Sequence, residues 1–422
     1  MKTKKILIIG YVWPEPDSSA AGSRMVQLID QLRLHNHPII FASPATPGSH
    51  RLDLSSRGIT EYSIQLNSSS FDSFILEYQP DLVIFDRFMM EEQFGWRVEK
   101  NCPQACRILD TEDLHFLRQA RQQALKQKKE LSTEDFNGEL ALREVASILR
   151  SDLTLMISSY EIDLLTRHFN VPAQLLLHLP FMLTPAPTQQ ACEETPSFGQ
   201  RQHFITIGNF RHAPNWDSAL YLKEKIWPLI RKQLPTTELH IYGAYPPPKA
   251  TALHNPTQGF LVKGWAKDAQ QVMRNARLCL APLRFGAGLK GKLCEAMQCG
   301  TPSITTHIGA EAMSAEFSWP GIIEDTPEAF AEAAVSLYQA QPHWEVCQAQ
   351  GFEILNALYD SKTLGKRFIS RLESLQANLS SERQKNFIGA MLRHHSMKST
   401  QYMSQWIEVK NELKCLAQEK EA

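Results

Sequence analysis

The chain is predicted to fold as two Rossmann-like, doubly wound α/β domains facing each other across a cleft, with a helical C-terminal extension. Three observations predict this. At 422 residues the chain exceeds what one ordinary hydrophobic core serves. Short apolar runs alternate with longer amphipathic stretches, the pattern of βαβ units and parallel sheets. That alternation stops once, in a stretch rich in Pro, Gln and Glu, and then restarts.

In the first half, strands are predicted at 6–9, 38–42, 60–65, 82–85, 107–109, 153–157 and 175–177. In the second half they fall at 204–207, 238–242, 260–262, 278–281, 303–305 and 321–323. These runs divide the chain into an N-terminal domain over 1–180, a linker over 181–202, a second domain over 203–361 and C-terminal helices over 362–422. Residues 112–150 depart from the alternation and read as a helical insertion, with helices at 113–131 and 133–150. A further helix is read at 362–379. Beyond it, Phe387, Met391, Met397, Trp406 and Leu413 either dock a partner or acceptor or cover the protein's own surface; the second reading is the simpler.

Composition narrows the class. Hydrophobic residues make up 43% and charged residues 21%, as in a soluble globular protein, and the net charge of −1 excludes an overall basic field for nucleic acid. The eight Cys are scattered. Cys102 and Cys106 alone lie close in sequence, and a single C-x3-C without nearby His is a poor metal pattern. Free thiols in a reducing cytosol follow. Lys2-Thr-Lys-Lys5 leads straight into Ile6–Gly10, an apolar run far shorter than a signal-peptide core, so a cytoplasmic location is expected.

The most informative segment is Cys279-Leu-Ala-Pro-Leu-Arg-Phe-Gly-Ala-Gly-Leu-Lys-Gly-Lys-Leu-Cys-Glu-Ala-Met-Gln-Cys-Gly-Thr-Pro-Ser303. A buried strand, a glycine-rich basic turn, a short helix and a second strand follow one another. Gly286, Gly288 and Gly291 remove side chains where the backbone approaches something closely, and Lys290 and Lys292 bring positive charge there. Free amides and the dipole of a helix start make an anion site. Glu295 stands on the same helix, within reach of hydroxyls attached to that anion, so a nucleotide is the ligand class. The plain alternative is a loop whose glycines only turn the chain.

This segment resembles the donor site of the GT-B sugar-nucleotide glycosyltransferases, specifically the large retaining group 1 family (family 4-like). That family's Glu-x7-Glu helix has its second acid at Glu295, and Glu295-Ala-Met-Gln-Cys-Gly-Thr-Pro-Ser303 fits the motif. The first acid is replaced by Ala287, as in a branch carrying Arg-Phe-Gly-Ala-Gly-Leu-Lys-Gly-Lys. The resemblance extends to other corners, and it implies that the helix at 362–379 crosses back to the first domain. Ala21, Gly22 and Ser23 fall where the family's small-residue loop nears the donor phosphates. Arg24 follows, either adding charge to the cleft or lying on the surface. Gly208-Asn-Phe-Arg-His-Ala-Pro-Asn215 matches a second phosphate corner, with Arg211 as its basic residue and Asn215 where the family usually has Lys. Gly264-Trp-Ala-Lys-Asp268 matches the base-recognition turn, which brings Trp265 near the base unless it merely packs. In Thr306-His-Ile-Gly-Ala-Glu311, Gly309 and Ala310 offer amides toward sugar or phosphate.

The family's His-Asp pair, which faces the acceptor, aligns with Glu112 and Asp113, and His115 lies just beyond. Any of the three suits the orientation of an acceptor hydroxyl; equally, Glu112 and Asp113 complement a helix dipole. Ser158-Ser-Tyr-Glu161 reads as a helix-capping pattern.

The resemblance implies a hexosyl transfer from a nucleoside-diphosphate sugar to a carbohydrate or lipid-linked acceptor, with retention, in glycan or cell-surface polysaccharide synthesis. It implies no essential metal and no separate cofactor, and it leaves peripheral membrane association open. Two other readings stand beside it. One is a degenerate GT-B protein acting as a nucleotide-binding or scaffold subunit. The other is a nucleotide-sugar epimerase.

Overall fold

The computed structural model describes residues 3–185 and 187–421; within it, the side chains of 395–397, 415, 417 and 419–421, including that of Met397, lie outside the described set. Among the described residues there are two parallel sheets. The first has seven strands: β1 (Ile6–Ile9), β2 (Ile39–Ser43), β3 (Thr60–Ser63), β4 (Leu82–Asp86), β5 (Cys106–Asp110), β6 (Leu153–Met156) and β7 (Leu176–His178), in the order β3-β2-β1-β4-β5-β6-β7. The second has six: β8 (Gln202–Ile207), β9 (Leu239–Tyr242), β10 (Phe260–Gly264), β11 (Ala276–Ala281), β12 (Ser303–Thr305) and β13 (Gly321–Ile323), in the order β10-β9-β8-β11-β12-β13. Each sheet reverses its strand order once, between β1 and β4 and between β8 and β11. A ligand crevice opens at the carboxyl ends beside such a reversal.

The apolar runs became strands because both faces of each central strand are covered. Ile6 and Ile8 of β1 pack with Met25, Leu28 and Leu32 of the helix Ala20–Arg33. Leu7 and Ile9 pack on the other face with Phe71, Phe94 and Leu117. A strand buried on both sides reads as a continuous apolar run.

Residues 181–202 are more ordered than a polar tether. They hold a helix, Thr188–Glu194, and a turn, Phe198–Gln200. Ala191 is buried in a cluster with Phe352 and Leu355 of the helix Gln341–Leu358. The outgoing and returning chains run side by side at this crossing: Leu183 N donates to Tyr359 O (2.7 Å), and Ser361 N donates to Leu183 O (2.9 Å). The helix Ser361–Ala377 then packs against the first domain, with Leu364, Phe368, Ile369, Leu372 and Leu375 in the same cluster as Ile6, Ile8 and Leu28.

The insertion holds the helices His115–Gln127 and Glu139–Arg150 with a turn, Thr133–Phe136, between them. The tail forms Leu379–Lys385 and one long helix, Phe387–Glu421, lying along the helices Phe88–Asn101 and Glu139–Arg150. Asn386 Nδ2 donates to Leu149 O (2.7 Å), and Arg393 Nη1 to Arg150 O (3.1 Å). The expectation that the tail's large apolar residues cover the protein's own surface is corrected here: Phe387, Met391, Trp406 and Leu413 are exposed.

The returning helix is anchored mostly by Phe368, which has no solvent exposure. Phe368→Ala is expected to lower first-domain stability by about 3–5 kcal/mol, the range for a fully buried aromatic, read as a shifted urea midpoint. An unchanged midpoint would show that the crossing helix does not complete that core.

Candidate active site

The cleft is walled by the carboxyl ends of β1, β4 and β5 on one side and of β8 and β11 on the other. Two helix starts meet across it. A Cβ built on Gly291, the first residue of the helix Gly291–Gln298, would lie 2.4 Å from the Cβ of Ala20, the first residue of the helix Ala20–Arg33. Only glycine permits that approach, and it brings two partial positive charges to one spot.

The glycine turn leans on the opposite wall. Gly288 has φ +62, and a Cβ there would lie 2.9 Å from Asp113 Cβ. Its amide donates to Glu161 Oε1 (2.8 Å), which also accepts from Leu114 N (2.9 Å). Two expectations are corrected by this contact. Gly288 has no free amide for phosphate, and Glu161 is not a helix-capping residue: Ser158 makes no side-chain cap bond, and the Glu161 carboxylate joins the two domains. Arg121 Nη1 donates to Gly286 O (2.8 Å), and its guanidinium grips Glu311 at 2.7 and 2.9 Å.

The donor-side lysines are enclosed. Lys290 Nζ donates to Gly288 O (2.6 Å). Burial pulls Lys290 down to about 8, against the opposing pull of Glu311. Burial likewise pulls Lys292 down to about 8. On the same helix, burial and then the Asp268 carboxylate push Glu295 up to about 7. Asp268 closes the turn that begins at Gly264, so that turn and Glu295 are neighbours.

Trp265, 40% exposed, reaches the first domain. Its indole N–H donates to Asp17 O (3.0 Å), and its ring lies 4.7 Å from that of His50. Arg211 stacks over Tyr245 at 3.6 Å, and the Tyr245 hydroxyl donates to Glu15 (2.8 Å). Asn215 is spent on its own turn, donating to Asn209 O (3.0 Å).

Three more expectations are corrected by local bonds. The Gly22 amide donates to Ser19 Oγ (3.0 Å), and the residue is glycine because Glu15 backbone passes 2.4 Å from a built Cβ. Gly309 N donates to Thr306 Oγ1 (3.1 Å), and Ala310 N to Thr306 O (2.9 Å). None of these amides is free for a ligand. Arg24 is neither on the surface nor open to the cleft: it is fully buried, pairs with Asp110 at 3.0 Å and donates to the carbonyls of Leu179 and Pro180, where the chain leaves the first domain.

On the first-domain wall, Asp113 and His115 come together, while Glu112 lies among Asp110, Asp86, Arg24 and Arg87. Desolvation, with Asp110 and Asp86 nearby, pushes Glu112 well above the usual carboxylate range. Burial also acts against the Asp113 charge, but Arg118, His115 and His212 outweigh it and hold the group well below its usual range. Arg118 pairs with it directly. His115 lies 3.5 Å from Asp113, and burial lowers it to about 4. His212, solvent-exposed in the turn before the helix Ala213–Tyr221, faces Arg118 and Asp113 from the other wall. This wall therefore offers a carboxyl biased toward its protonated form, a fixed anion and a neutral imidazole.

Sequence reasoning missed Arg87. It follows β4 directly, has φ +70 and ψ 154, and donates its amide to Asp110 O (2.7 Å). Its guanidinium pairs with Asp86 (3.4 Å) and stacks on Tyr11. Glu112, at the end of β5, also has a positive φ, +63. Two adjacent strands thus end in strained non-glycine residues, a pattern that clusters at functional sites. The available signal was a charged pair, Asp86-Arg87, closing an otherwise apolar run. Among the described residues, one group has metal-ligand character: His203, Glu238 and His240. It lies at the amino ends of β8 and β9, away from the cleft.

Burial and the neighbouring Asp113 charge raise Glu161 to about 7 from 4.5. A raised carboxyl contributes stability that is complete below the unfolded value and is lost as pH climbs through the folded one. Glu161→Gln is therefore expected to flatten the fall in stability between pH 5 and 7 by on the order of 1 kcal/mol per pH unit. Urea titrations of both proteins at each pH check this. Parallel pH profiles would contradict it.

Residues 201–340 match the family model described as Glycosyl transferases group 1. No curated protein matches the chain by sequence. Among solved structures, a glycosyltransferase from Rickettsia africae superposes with a TM-score of 0.66 at 11% identity, covering 90% of this chain and all of that one. Anabaena HepE, solved with UDP and glucose, gives 0.66 at 14%, covering 88% and 100%. WaaG, a glycosyltransferase involved in lipopolysaccharide biosynthesis, gives 0.58 at 13%, covering 86% and 98%. At such identities the likeness is one of fold: two Rossmann-like domains in the GT-B arrangement, the second of which matches the group 1 family model.

Proposed function

We propose that the chain is a glycosyltransferase moving a sugar from a nucleoside-diphosphate sugar to an acceptor hydroxyl. The observation that carries this reading is the group 1 match over 201–340, because those residues include the basic helix start that meets Ala20 across the cleft. The HepE structure holding UDP and glucose supports this ligand class. Breaking the bond between the anomeric carbon and the diphosphate develops negative charge on the leaving phosphate. Cations and amides already fixed there stabilise that charge more than they stabilise the ground state. Lys290, Lys292, the helix start at Gly291 and, after leaving Tyr245, Arg211 take this role. Glu295 accepts from the ribose hydroxyls, and the turn 264–268 takes the base. Glu112, Asp113 and His115 position the acceptor.

Retention, a hexose donor and a glycan or lipid-linked acceptor in surface-polysaccharide synthesis extend the same reading, as do a cytoplasmic location and chemistry without a metal or further cofactor. No described helix is long and apolar enough to cross a membrane. A scaffold role is the second reading. It is favoured by Ala287 and by Asn215, which is committed to its own turn.

Glu295→Gln is expected to weaken nucleoside-diphosphate binding roughly 10- to 100-fold, the loss of charge-assisted hydrogen bonds at about 1.5–3 kcal/mol each. Equal binding of the parent nucleotide and its 2′,3′-dideoxy form would remove Glu295 from the ribose. Among single Ala variants at 112, 113 and 115, the acceptor-positioning residue should lose turnover while keeping donor affinity. Wild-type transfer in all three would move acceptor positioning to the loop 13–24.

A further inference from the structure

The helix Phe387–Glu421 is tied to the body along one face and bare on the other. Ser404 is buried and lies 3.4 Å from Arg97 Nη2. One turn on, Glu408 accepts from Ser69 N at 2.6 Å. With ~100° between successive residues, the side opposite Ser404 carries Tyr402, Trp406, Val409, Leu413 and Leu416. These are exposed by 65%, 59%, 53%, 61% and 54%. Their steps are four, three, four and three, a repeat of 3.5 that draws a narrow straight seam along the helix. Such a seam is the contact line of a coiled coil. It is not the broad apolar stripe of a helix lying on its own core.

We propose that this seam binds the same seam on a second copy of the chain, making a homodimer through paired tail helices. Area, charge and shape select this occupant. Together with Met403 and with Phe387, Ile388 and Met391 at the start of the helix, all exposed, the apolar residues present roughly 1,000 Å², against the ~800 Å² that each partner gives to a standard stable interface. The flanks of the seam differ in charge, Lys410 on one side and Glu412 on the other, so two parallel copies set a basic flank beside an acidic one. A membrane surface is the poorer match: over the whole helix Arg393, Lys398, Lys410, Lys414 and Lys420 are nearly balanced by Glu408, Glu412, Glu419 and Glu421, whereas a helix lying on lipid needs a basic rim.

Sedimentation equilibrium of the full chain over ~0.1–100 μM, a span chosen to bracket common dimer affinities, tests the proposal. The wild type is expected to dimerise within that range. Trp406→Asp/Leu413→Asp is expected to weaken association at least 100-fold, with the unfolding midpoint unchanged at concentrations where the wild type is monomeric, because both residues are exposed. Trp406→Ala/Leu413→Ala, which favours helix, is expected to do the same with the helical circular dichroism intact. A wild-type chain that stays monomeric at the highest concentration would overturn the proposal. So would a dimer equally tight in both variants. A monomer that floats with phosphatidylglycerol vesicles through the same residues would reassign the seam to membrane and overturn it too.

Discussion

The cleft is organised around one carboxylate. Glu161 accepts from Leu114 at the start of an insertion helix and from Gly288 in the turn of the other domain. A carboxylate between two amides makes strong bonds, but its enclosure penalises the charge, which is why its pKa lies near neutrality. The neighbouring contacts follow from the same closure. Arg121 holds Gly286 and Glu311, Lys290 folds back on Gly288, and Gly291 comes against Ala20. The Gly288 amide and the Lys290 ammonium are thus satisfied by their neighbours.

That closure gives the site its electrostatic character. Lys290 and Lys292 are held near 8, while Glu161 and Glu295 are held near 7. Charges kept out of water are costly unless paired. A dianion placed against the lysines would raise them again, so ligand binding and protonation are linked in the proposed enzyme as pH approaches 8. The same enclosure strengthens the field at a leaving phosphate. On the facing wall, the raised Glu112 and the ion-paired Asp113 arise from their different neighbours, Asp110 and Asp86 for one and Arg118 for the other.

The sheets were legible in the sequence because strands buried on both faces are written as apolar runs, and all thirteen predicted runs lie on strands of the two sheets. The meeting of Asp113 and His115 was legible too, since one turn past β5 carries them. What escaped was non-local. Glu161 shares a local pattern with a helix cap, and its partner Gly288 is 127 residues away. Arg24 resembles a surface arginine until Asp110, 86 residues on, and the carbonyl of Leu179, 155 residues on, enclose it. The committed amides of Gly22 and Gly309 were readable in principle, because Ser19 and Thr306 stand three residues earlier, where capping oxygens belong. The exposed seam of the tail was hidden because a 3.5 repeat looks the same whether a helix meets its own domain or another molecule.

The central claim is that the cleft takes a nucleoside diphosphate against Lys290 and Lys292. Isothermal titration of the full chain with a panel of nucleoside diphosphates, repeated with Lys290→Ala/Lys292→Ala, tests it most directly. One base should bind in preference to the others. The double variant, still folded, should bind it at least 100-fold more weakly, as expected from losing charge-assisted bonds worth about 1.5–3 kcal/mol each. Undiminished affinity in the folded double variant, or no binding of any nucleotide to the wild type, would contradict it.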